Sequence, residues 1–508
     1  MSSEAESSTT SRPTNPFVAT DASDDDHHAQ GDDHDAPVAH HDFAPTNPAA
    51  DALPTSPSYI PLSHPARTLV LCFDGTGDQF DADNSNVVQF FSMLKKDDRK
   101  QQMVYYQAGI GTYTSPQVAT PLMAKLSKTL DAMVAWNLDA HVMDGYEFLM
   151  QNYEAGDKIC IFGFSRGAYT AQALAGMVHK VGLLPAHNYQ QVPFAYKMYT
   201  RTSATGWAQS TLFKKTFSID VDVEFVGVWD TVCSVGLVGR RLPFTTSNTS
   251  VKTFRHAVSL DERRAKFRAN LFNRPRAQER ALGTHPGDMP KAGQIEERQT
   301  QKDLERQFGQ QEATQLETDV KEVWFAGCHC DVGGGSVPNM THHNLARIPL
   351  RWMVRQCFLA DTGIRFHAAR LRGIGLDPGA LYPTVRERPE GLYLRPGTTV
   401  PDGGAGARLS EEEEDLADAL CPIYDQLALR RGWWALEVVP LRHRVQLEDD
   451  SWVSERTMNL GRGRVVPNQR VQGVHVHRSV KMRMEADGLR GGRYTPRAKF
   501  EVEPTWVD

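Results

Sequence analysis

The chain has 508 residues, 40% of them hydrophobic, and a formal net charge of −6. This length predicts a sizeable core and no more than about three domains, and the balanced charge argues against nucleic acid as a partner. No apolar stretch approaches the ~20 residues of a membrane-spanning helix, so we expect no transmembrane segment. The N-terminus lacks a basic segment followed by an apolar one, so we expect no secretory signal peptide. Peripheral membrane contact needs no spanning helix and stays open.

The seven cysteines are irregularly spaced, and several lie in apolar runs. This usage indicates reduced thiols and a cytoplasmic protein. Cys328 and Cys330 flank His329, but no second cysteine pair has the spacing of a zinc site. We therefore predict neither a metal nor another cofactor.

Residues 1–66 contain few large apolar side chains and many Ser, Thr, Asp, His and Pro. Such a segment buries too little surface to offset its ordering entropy, so we predict that it is disordered. Its histidines and aspartates offer weak metal ligands, but a solvated acidic tail is the better interpretation.

Four continuous apolar runs predict strands that are buried on both faces, as in a parallel sheet covered by helices. They are TLVLCF (68–73), KICIFGF (158–164), VEFVGVW (223–229) and EVWFAGC (322–328). Residues 115–153 carry apolar side chains at helical spacing and predict a helix that leads into the second run. Strand, helix and strand at this spacing predict an α/β fold with a mostly parallel sheet.

Changes in composition set the expected domain limits. Residues 67–360 are expected to form the α/β domain, with a polar insertion at 273–319 and a helix at 342–360. Residues 361–508 are expected to be a C-terminal region that packs on this domain. Within it, DGGAGARLSEEEED (402–415) predicts a flexible surface loop.

Each apolar run is followed directly by a residue whose side chain can take part in catalysis: Asp74, Ser165, Asp230 or His329. In open α/β sheets, ligands bind beyond the carboxyl ends of the strands. If the four strands are parallel neighbours, these side chains meet at one edge of the sheet. This convergence is the main functional signal in the sequence.

The sequence GFSRG (163–167) has the G-x-S-x-G pattern of a serine nucleophile on a sharp strand-to-helix turn. Gly163 and Gly167 relieve crowding on either side of Ser165. The small residues that follow let a helix pack closely on the sheet, with its positive N-terminal end at the serine. The alternative is a serine that merely occupies a tight turn.

A serine hydroxyl needs a base, and that base needs a carboxylate to orient it. Asp230 and His329 follow Ser165 in the chain order of α/β-hydrolases, so we predict them as the acid and the base of a triad. Each also suits a structural role, Asp230 as a turn or cap residue and His329 as a packed side chain. His477 is the second candidate for the base, and His256 is expected on a helix.

The same sheet edge offers groups that bind substrate. We expect the Arg166 amide to donate to an oxyanion, together with amides of the loop at Gly75 and Thr76. The Arg166 guanidinium alternatively contacts a phosphate or carboxylate of the substrate. Asp74 and Asp331 lie beside these loops and complete the set of candidate binding residues.

Six motifs together resemble the catalytic domain of the type VI secretion phospholipase effectors, a family with fungal and bacterial members. They are LCFDGTGD, GFSRGAYTAQ, FVGVWDTV, HAVSLDERR, WFAGCHCDVGGG and LARIPLRWM, within residues 67–360. The resemblance implies an α/β-hydrolase fold, a triad at Ser165, Asp230 and His329, and hydrolysis of phospholipid esters. Asp78 and Gln172 depart from the usual Asn and Arg of the family, which bears on substrate preference.

Three hypotheses follow. The first is a serine esterase or lipase that cleaves carboxylic esters of lipids or phospholipids through an acyl-enzyme. The second is a metal-dependent phosphoesterase with Asp74, His329 and Asp331 as ligands. The third is a non-catalytic binding module on a hydrolase scaffold. We favour the first, because the second leaves the nucleophile turn unexplained and the third leaves the complete candidate triad without a role.

Overall fold

A sheet of eight strands forms the centre of the described structure. In this computed structural model the described residues are 57–76, 78–109, 127–232, 242–245, 251–272, 318–394, 409–446, 452–487, 489 and 492–508. The strands are β1 (Tyr59–Ile60), β2 (Thr68–Phe73), β3 (Gln102–Gln107), β4 (Lys158–Phe164), β5 (Val223–Trp229), β6 (Val251–Ser259), β7 (Asp319–Phe325), β8 (Phe366–His367), β9 (Leu441–Gln446), β10 (Trp452–Thr457), β11 (His475–His477) and β12 (Thr505–Val507).

The order of strands across the central sheet is β12-β11-β7-β6-β5-β4-β2-β3, and every neighbouring pair is parallel. The adjacent strands β2, β4 and β5 are buried almost throughout. Burial on both faces explains why the sequence shows them as continuous apolar runs. The predicted α/β fold with a mostly parallel sheet is confirmed.

Helices cover both faces of the sheet. They are α1 (Asn86–Met93), α2 (Ser127–Asn152), α3 (Ser165–Val181), α4 (Val192–Thr200), α5 (Ala204–Phe217), α6 (His329–Gly333), α7 (Arg347–Leu359), α8 (Ala368–Gly373), α9 (Pro378–Leu381), α10 (Glu411–Ala419), α11 (Gln426–Leu429), α12 (Trp434–Glu437), α13 (Gln469–Gln472) and α14 (Arg478–Glu485), with 3-10 turns at Tyr189–Gln191 and Arg431–Trp433. Alternate residues of β2 face the two layers. Leu69 and Leu71 pack with residues of α2 to α4, whereas Val70 and Cys72 pack with residues of α1 and α7.

Three of the four predicted strands have the limits that the sequence indicated, as β2, β4 and β5. The fourth was expected at 322–328 and is Asp319–Phe325. Its first residues include the exposed Asp319 and Lys321, but they still pair with β6. The apolar run therefore misplaced a strand whose first half includes exposed polar residues.

Other elements were missed or only partly predicted. The sequence did not indicate β3 or β6, and His256 lies on β6 rather than on the expected helix. The helix expected at 342–360 is α7. The helix expected at 115–153 corresponds to α2, and residues 115–126 lie outside the described residues.

Residues from the predicted C-terminal region extend the central sheet. β11 pairs with β7, and β12 pairs with β11. The flexible loop predicted at 402–415 is wrong for Glu411–Asp415, which belong to α10, while 402–408 lie outside the described residues. Ser410 and Glu413 form a capping box at the start of this helix.

A buried ion-pair network joins α10 to α7. Arg347, Arg351 and Arg355 of α7 each contact acidic side chains of α10. The Arg351 side chain is 2% exposed and lies 2.6 Å from Asp415 and 2.7 Å from Asp418. Charges buried to this degree require partners, so the acidic helix is held by the arginines it meets.

The predicted domain limits stay predictions. All described residues belong to one compact unit, Ser56–Asp508. Residues 1–56 of the predicted disordered tail lie outside the described residues, whereas Tyr59 and Ile60 pair with β8. Residues 273–317 of the predicted polar insertion also lie outside the described residues. Of the helices that the structure describes, none has the length and apolar content of a membrane span.

Candidate active site

Ser165 lies at the sharp turn between β4 and α3. Its φ is 58°, in the left-handed region that side-chain-bearing residues rarely adopt. A Cβ at Gly163 would lie 2.5 Å from the carbonyl oxygen of Gly167. A Cβ at Gly167 would lie 2.3 Å from the carbonyl oxygens of Phe73 and Asp74. Only glycine fits at either position, so the GFSRG pattern has a steric cause in this fold.

His329 connects the serine to a buried carboxylate. Its Nε2 lies 2.8 Å from Ser165 Oγ, and its Nδ1 lies 2.6 Å from Asp230 Oδ2. Ser165, Asp230 and His329 are 5%, 0% and 3% exposed. The rings of Phe164 and Phe267 pack on the imidazole at centroid distances of 4.7 and 4.8 Å. The structure thus brings together the three residues that the sequence nominated as a triad.

Asp230 is held by residues that are distant in the chain. It has a φ of 39°, and its Oδ1 accepts a hydrogen bond of 2.9 Å from the Ser259 amide. Arg464 donates to both carboxylate oxygens, with 2.9 Å between Nη2 and Oδ2. Arg464 could not be identified from the sequence, because nothing in its local sequence, GRGRVVPN, indicates a site. Only the fold brings this residue to Asp230.

The charges around the pair favour an ionised acid and a neutral base. Burial alone would raise the pKa of Asp230, but the Arg464 guanidinium and the His329 ring hold that pKa well below its usual range. Burial lowers the pKa of His329, and the Asp230 carboxylate offsets part of that effect. A neutral imidazole that donates Nδ1–H to Asp230 leaves Nε2 free to accept a proton from Ser165.

A second buried ion pair lies beside His329. Glu262 lies 2.8 Å from Arg264 and accepts a hydrogen bond of 3.2 Å from the His329 amide. Arg264 also lies over the Phe267 ring, 3.5 Å from its centroid. Both charged residues belong to the HAVSLDERR motif, one of the six that carry the family resemblance. The motif therefore also supplies the surroundings of the imidazole.

The loop after β2 packs against the serine turn. The Gly75 amide donates to Asp74 Oδ1 at 2.8 Å, so this amide is already engaged. Asp74 also accepts hydrogen bonds from Ser85 and from Tyr106. The hydroxyl of Thr76 is buried and has no hydrogen-bond partner in the part of the chain that the structure describes. Asp74 holds the loop, and Thr76 carries its unsatisfied polar group.

Arg166 begins α3 directly after the serine. Its amide belongs to the first turn, where helical amides have no carbonyl partner within the helix. Within the described residues, no hydrogen bond or ion pair engages its guanidinium. Burial lowers the pKa of Arg166, and the Asp78 carboxylate opposes that effect. Burial in turn raises the pKa of Asp78 to about 7.

Asp331 is engaged in holding the segment that carries His329. Its carboxylate accepts from the amides of Cys328 and Tyr424 at 2.9 and 3.0 Å, and from the Ser336 hydroxyl at 2.9 Å. Burial raises the pKa of Asp331 to about 6. The residue caps α6, the helix that begins with His329.

The ligand set that the metal-dependent hypothesis requires is not assembled. Among the described residues, one group of three metal-ligating side chains brings its donor atoms within 4.8 Å of one another, and it consists of His342, His343 and Glu414. Asp74, His329 and Asp331 do not form such a group. Arg347 lies 2.9 Å from Glu414, so the carboxylate of this group is already paired with a guanidinium.

His477, the second candidate for the base, lies away from the serine. Its Nδ1 is 2.8 Å from the Ser479 hydroxyl, and its ring stacks on Phe325 at 4.9 Å. Burial lowers the pKa of His477 to about 3. In the described structure, the histidine that contacts Ser165 is His329.

A parallel sheet with a serine turn, a histidine and a buried acid at its carboxyl edge defines a protein of the α/β-hydrolase class. The family described as "T6SS, Phospholipase effector Tle1-like, catalytic domain" matches residues 67–356, and the chain belongs to this family. The family resemblance that the six sequence motifs indicated is confirmed.

Similar proteins include one from a yeast and one from a bacterium. Over 569 aligned residues, the chain is 28% identical to the uncharacterized protein YEL023C of Saccharomyces cerevisiae, covering 86% of this chain and 82% of the relative. A crystal structure of an uncharacterized protein from Pseudomonas aeruginosa is 17% identical over 59% of this chain and 46% of that chain, with a TM-score of 0.31.

A further solved structure is that of the Tle1 effector bound to the VgrG spike from the type 6 secretion system. It is 17% identical over 55% of this chain and 53% of that chain, with a TM-score of 0.25. The chain thus spans about half the length of each of these two solved proteins.

Proposed function

We propose that the protein is a serine hydrolase that cleaves carboxylic esters of lipids, with phospholipids as the substrate class. Membership in the Tle1-like phospholipase family supports a lipid-ester hydrolase. The observation that carries the serine mechanism is the continuous contact from Ser165 through His329 to Asp230. This connection of nucleophile, base and orienting acid is the arrangement through which serine enzymes with a triad transfer acyl groups.

In the proposed mechanism, His329 Nε2 accepts the hydroxyl proton as Ser165 Oγ attacks the ester carbonyl carbon. The tetrahedral intermediate expels the alcohol, which takes that proton from His329 and leaves an acyl group on Ser165. A water molecule then gives a proton to His329 and attacks the acyl carbon. The fatty acid leaves as the proton returns to Ser165, and Asp230 stabilises the imidazolium in both halves.

Backbone donors at the serine turn fit the oxyanion of the intermediate. The Arg166 amide belongs to the first turn of α3, where the free amides and the helix dipole favour negative charge. We place the second donor at the backbone amide of Thr76, because the Gly75 amide is bonded to Asp74. Asp74 then serves the site by holding this loop.

The Arg166 guanidinium supports an anionic substrate. It is a largely buried cation directly after the proposed nucleophile, with the Asp78 carboxylate nearby, and within the described residues it forms no hydrogen bond. A phosphate oxygen is a strong partner for such a group, because the planar fork of donors matches it. A phospholipid carries its phosphate near its ester bonds. Arg166 would therefore bind the phosphate while Ser165 attacks a nearby ester carbonyl.

Peripheral membrane contact belongs to the same proposal. Near the site the chain exposes Leu429, Trp434, Val438 and Val439, by 62%, 42%, 54% and 38%. Arg430 and Arg431 lie among them and are exposed. Trp433 contacts Phe267, whose ring packs on His329. Apolar and basic side chains together suit the surface of an anionic bilayer.

Sedimentation with vesicles tests the membrane contact. We expect the protein to pellet with vesicles that contain phosphatidylserine and less so with pure phosphatidylcholine vesicles. Trp434→Ala should reduce pelleting while leaving the hydrolysis of a soluble ester unchanged. Equal pelleting of this variant would argue against the surface. A cytoplasmic location remains a proposal, which fractionation of cells tests.

Labelling with a fluorophosphonate tests the serine mechanism. We expect the purified protein to be labelled and to hydrolyse phospholipid and short-chain esters, with or without chelator. Ser165→Ala should abolish both, whereas Ser203→Ala, which removes only a helix cap, should retain both. Turnover in Ser165→Ala would contradict the mechanism. Chelator-sensitive turnover without labelling would point instead to the metal-dependent hypothesis.

A further inference from the structure

The guanidinium of Arg464 is buried against the proposed catalytic acid. Its side chain is 5% exposed and donates to both carboxylate oxygens of Asp230. It also donates to the carbonyl and the hydroxyl of Ser259 and to the carbonyl of Phe267. All of these acceptors lie within the family match at 67–356. Arg464 itself follows Asp230 by 234 residues and lies outside the family match at 67–356.

Packing fixes the backbone around Arg464 independently of the ion pair. A Cβ at Gly463 would lie 2.8 Å from the Arg497 carbonyl oxygen, so the chain passes close to a neighbouring segment here. Val465 forms a parallel bridge with Lys499, and Val466 is buried in the core beside β11. The packing of these neighbouring residues therefore holds the backbone of Arg464 where its guanidinium reaches Asp230.

Neighbouring charges leave Arg464 as the permanent counter-ion of Asp230. Arg264 is already paired with Glu262 at 2.8 Å. The Ser259 amide gives Asp230 a hydrogen bond of 2.9 Å but no charge. His329 is charged for only part of the proposed reaction cycle. In the described surroundings, Arg464 is the cation that stays beside Asp230 throughout.

We propose that Arg464 is a positioning residue for ester hydrolysis: its two-pronged contact fixes the Asp230 carboxylate, which in turn orients the His329 ring toward Ser165. This inference rests on the serine mechanism proposed above. A guanidinium bonded to both oxygens restrains rotation of the carboxylate. That rotation would break the 2.6 Å contact between Asp230 and His329 Nδ1.

The charge of Arg464 also opposes protonation of His329. The carboxylates that face the imidazole, Asp230 and Glu262, favour its protonation, whereas Arg264 disfavours it. Arg464 acts in the same direction as Arg264, because it neutralises Asp230. A neutral residue at position 464 would remove one positive charge and make the imidazolium easier to form. The acid limb of kcat/KM should then move to higher pH, by about one pH unit.

The test compares two variants of Arg464 with a buried control, all in the full chain. Arg464→Met removes the charge and the fork, and Arg464→Lys keeps the charge but loses the fork. The control is Arg483→Met, because Arg483 is also buried in the C-terminal region but donates to the carbonyls of Ala419 and Cys421. For each protein, kcat/KM for a short-chain ester is measured against pH, so that membrane binding does not contribute.

We expect Arg464→Met to lose at least about 100-fold in kcat and to shift the acid limb upward. Arg464→Lys should keep the acid limb of the wild-type protein but lose about 10-fold in kcat, which also tests the proposal if Arg464→Met does not fold. Arg483→Met should lower Tm and keep the wild-type pH profile.

Wild-type kcat and pH profile in either Arg464 variant would overturn the positioning role and leave the serine mechanism standing. A shifted acid limb in Arg483→Met would also overturn it, because general destabilisation would then explain the result. Absence of both labelling and ester turnover in the wild-type protein would overturn the serine mechanism and the role of Arg464 together.

Discussion

The two ends of the proposed triad are held in different ways. At the serine end, residues close in sequence do the work: Gly163 and Gly167 leave space for the strained turn at Ser165. At the acid end, Asp230 depends on Ser259 and on Arg464, which is 234 residues away. At the serine end, the steric requirement is met by glycines next to the serine in sequence, although Gly167 packs against the distant Phe73 and Asp74. At the acid end, the requirement is a charge that a distant residue supplies.

A short motif therefore describes only part of such a site. Steric requirements of a turn must be met by the neighbours of the turning residue, so they leave a local pattern. A buried carboxylate needs a counter-ion, but any segment that the fold brings near can supply one. The following variants separate the two kinds of support, in order of decreasing expected effect.

Asp230→Asn should show the largest effect, because it removes the orienting carboxylate and leaves Arg464 buried without a counter-ion. We expect turnover to fall by about 10⁴-fold and the free energy of unfolding to fall by about 3 to 5 kcal/mol. Activity assays and urea unfolding measure the two effects. The double variant Asp230→Asn, Arg464→Met should regain stability but not activity. Unchanged stability in the single variant would contradict the charge-based account.

Arg351→Met should destabilise the protein without altering the chemistry. Its guanidinium pairs with Asp415 and Asp418, and all three side chains are almost fully buried. Removing it should cost about 3 to 5 kcal/mol of unfolding free energy, because two buried carboxylates lose a partner. Urea unfolding measures the loss. The folded fraction should keep the wild-type pH profile of kcat/KM, and a shifted profile would mean that this network also serves the site.

Gly163→Ala tests the steric support of the serine turn. The added methyl group would lie 2.5 Å from the Gly167 carbonyl oxygen, so the turn must shift. We expect a loss of about 1 to 3 kcal/mol in unfolding free energy and slower fluorophosphonate labelling of Ser165. Gly373→Ala is the matched control, because nothing lies within 4 Å of its Cβ position. Equal behaviour of the two variants would remove the steric explanation.

His477→Asn should show the smallest of these effects, measured as a change in how stability depends on pH. Burial lowers the pKa of His477 to about 3 from an ordinary value of 6.5. The unfolded chain therefore binds a proton that the folded protein excludes, and stability is lost as pH falls from about 6.5 toward about 3. Asn retains an acceptor at the cap of α14 but does not titrate.

Urea unfolding at pH 7.5 and pH 5.5 measures this dependence. Between these values the wild-type protein should lose about 1 kcal/mol more stability than His477→Asn. A parallel loss in both proteins would show that other groups cause the sensitivity to acid.

The elements that could be predicted from the sequence are those whose cause is local. The strands at 68–73, 158–164 and 223–229 are buried on both faces, so apolar runs mark their limits. β6 was missed because charged and polar residues, among them Arg255 and His256, are buried in it with partners from other elements. α10 was predicted as a loop because its acidic residues pair with the arginines of α7 only in the folded protein.

The same limit applies to the site. Ser165, Asp230 and His329 follow strands that are adjacent or nearly adjacent in a parallel sheet, so their convergence could be inferred from sequence order alone. The hydrogen-bond partners of the loop residues could not be inferred in this way. The Gly75 amide is bonded to Asp74, and Asp331 caps α6. Arg464 and Phe267 were missed because their contacts are tertiary and their local sequences carry no periodic signal.

The position of Arg464 in the chain also sets an order of events during synthesis. The ribosome adds Asp230 long before Arg464, which follows it by 234 residues. A nascent chain that already contains Ser165, Asp230 and His329, the proposed triad, therefore still lacks the counter-ion of Asp230. If Arg464 positions Asp230 as proposed, the proposed activity would be acquired late in translation, after the segment that carries Arg464 has left the ribosome and packed beside β11.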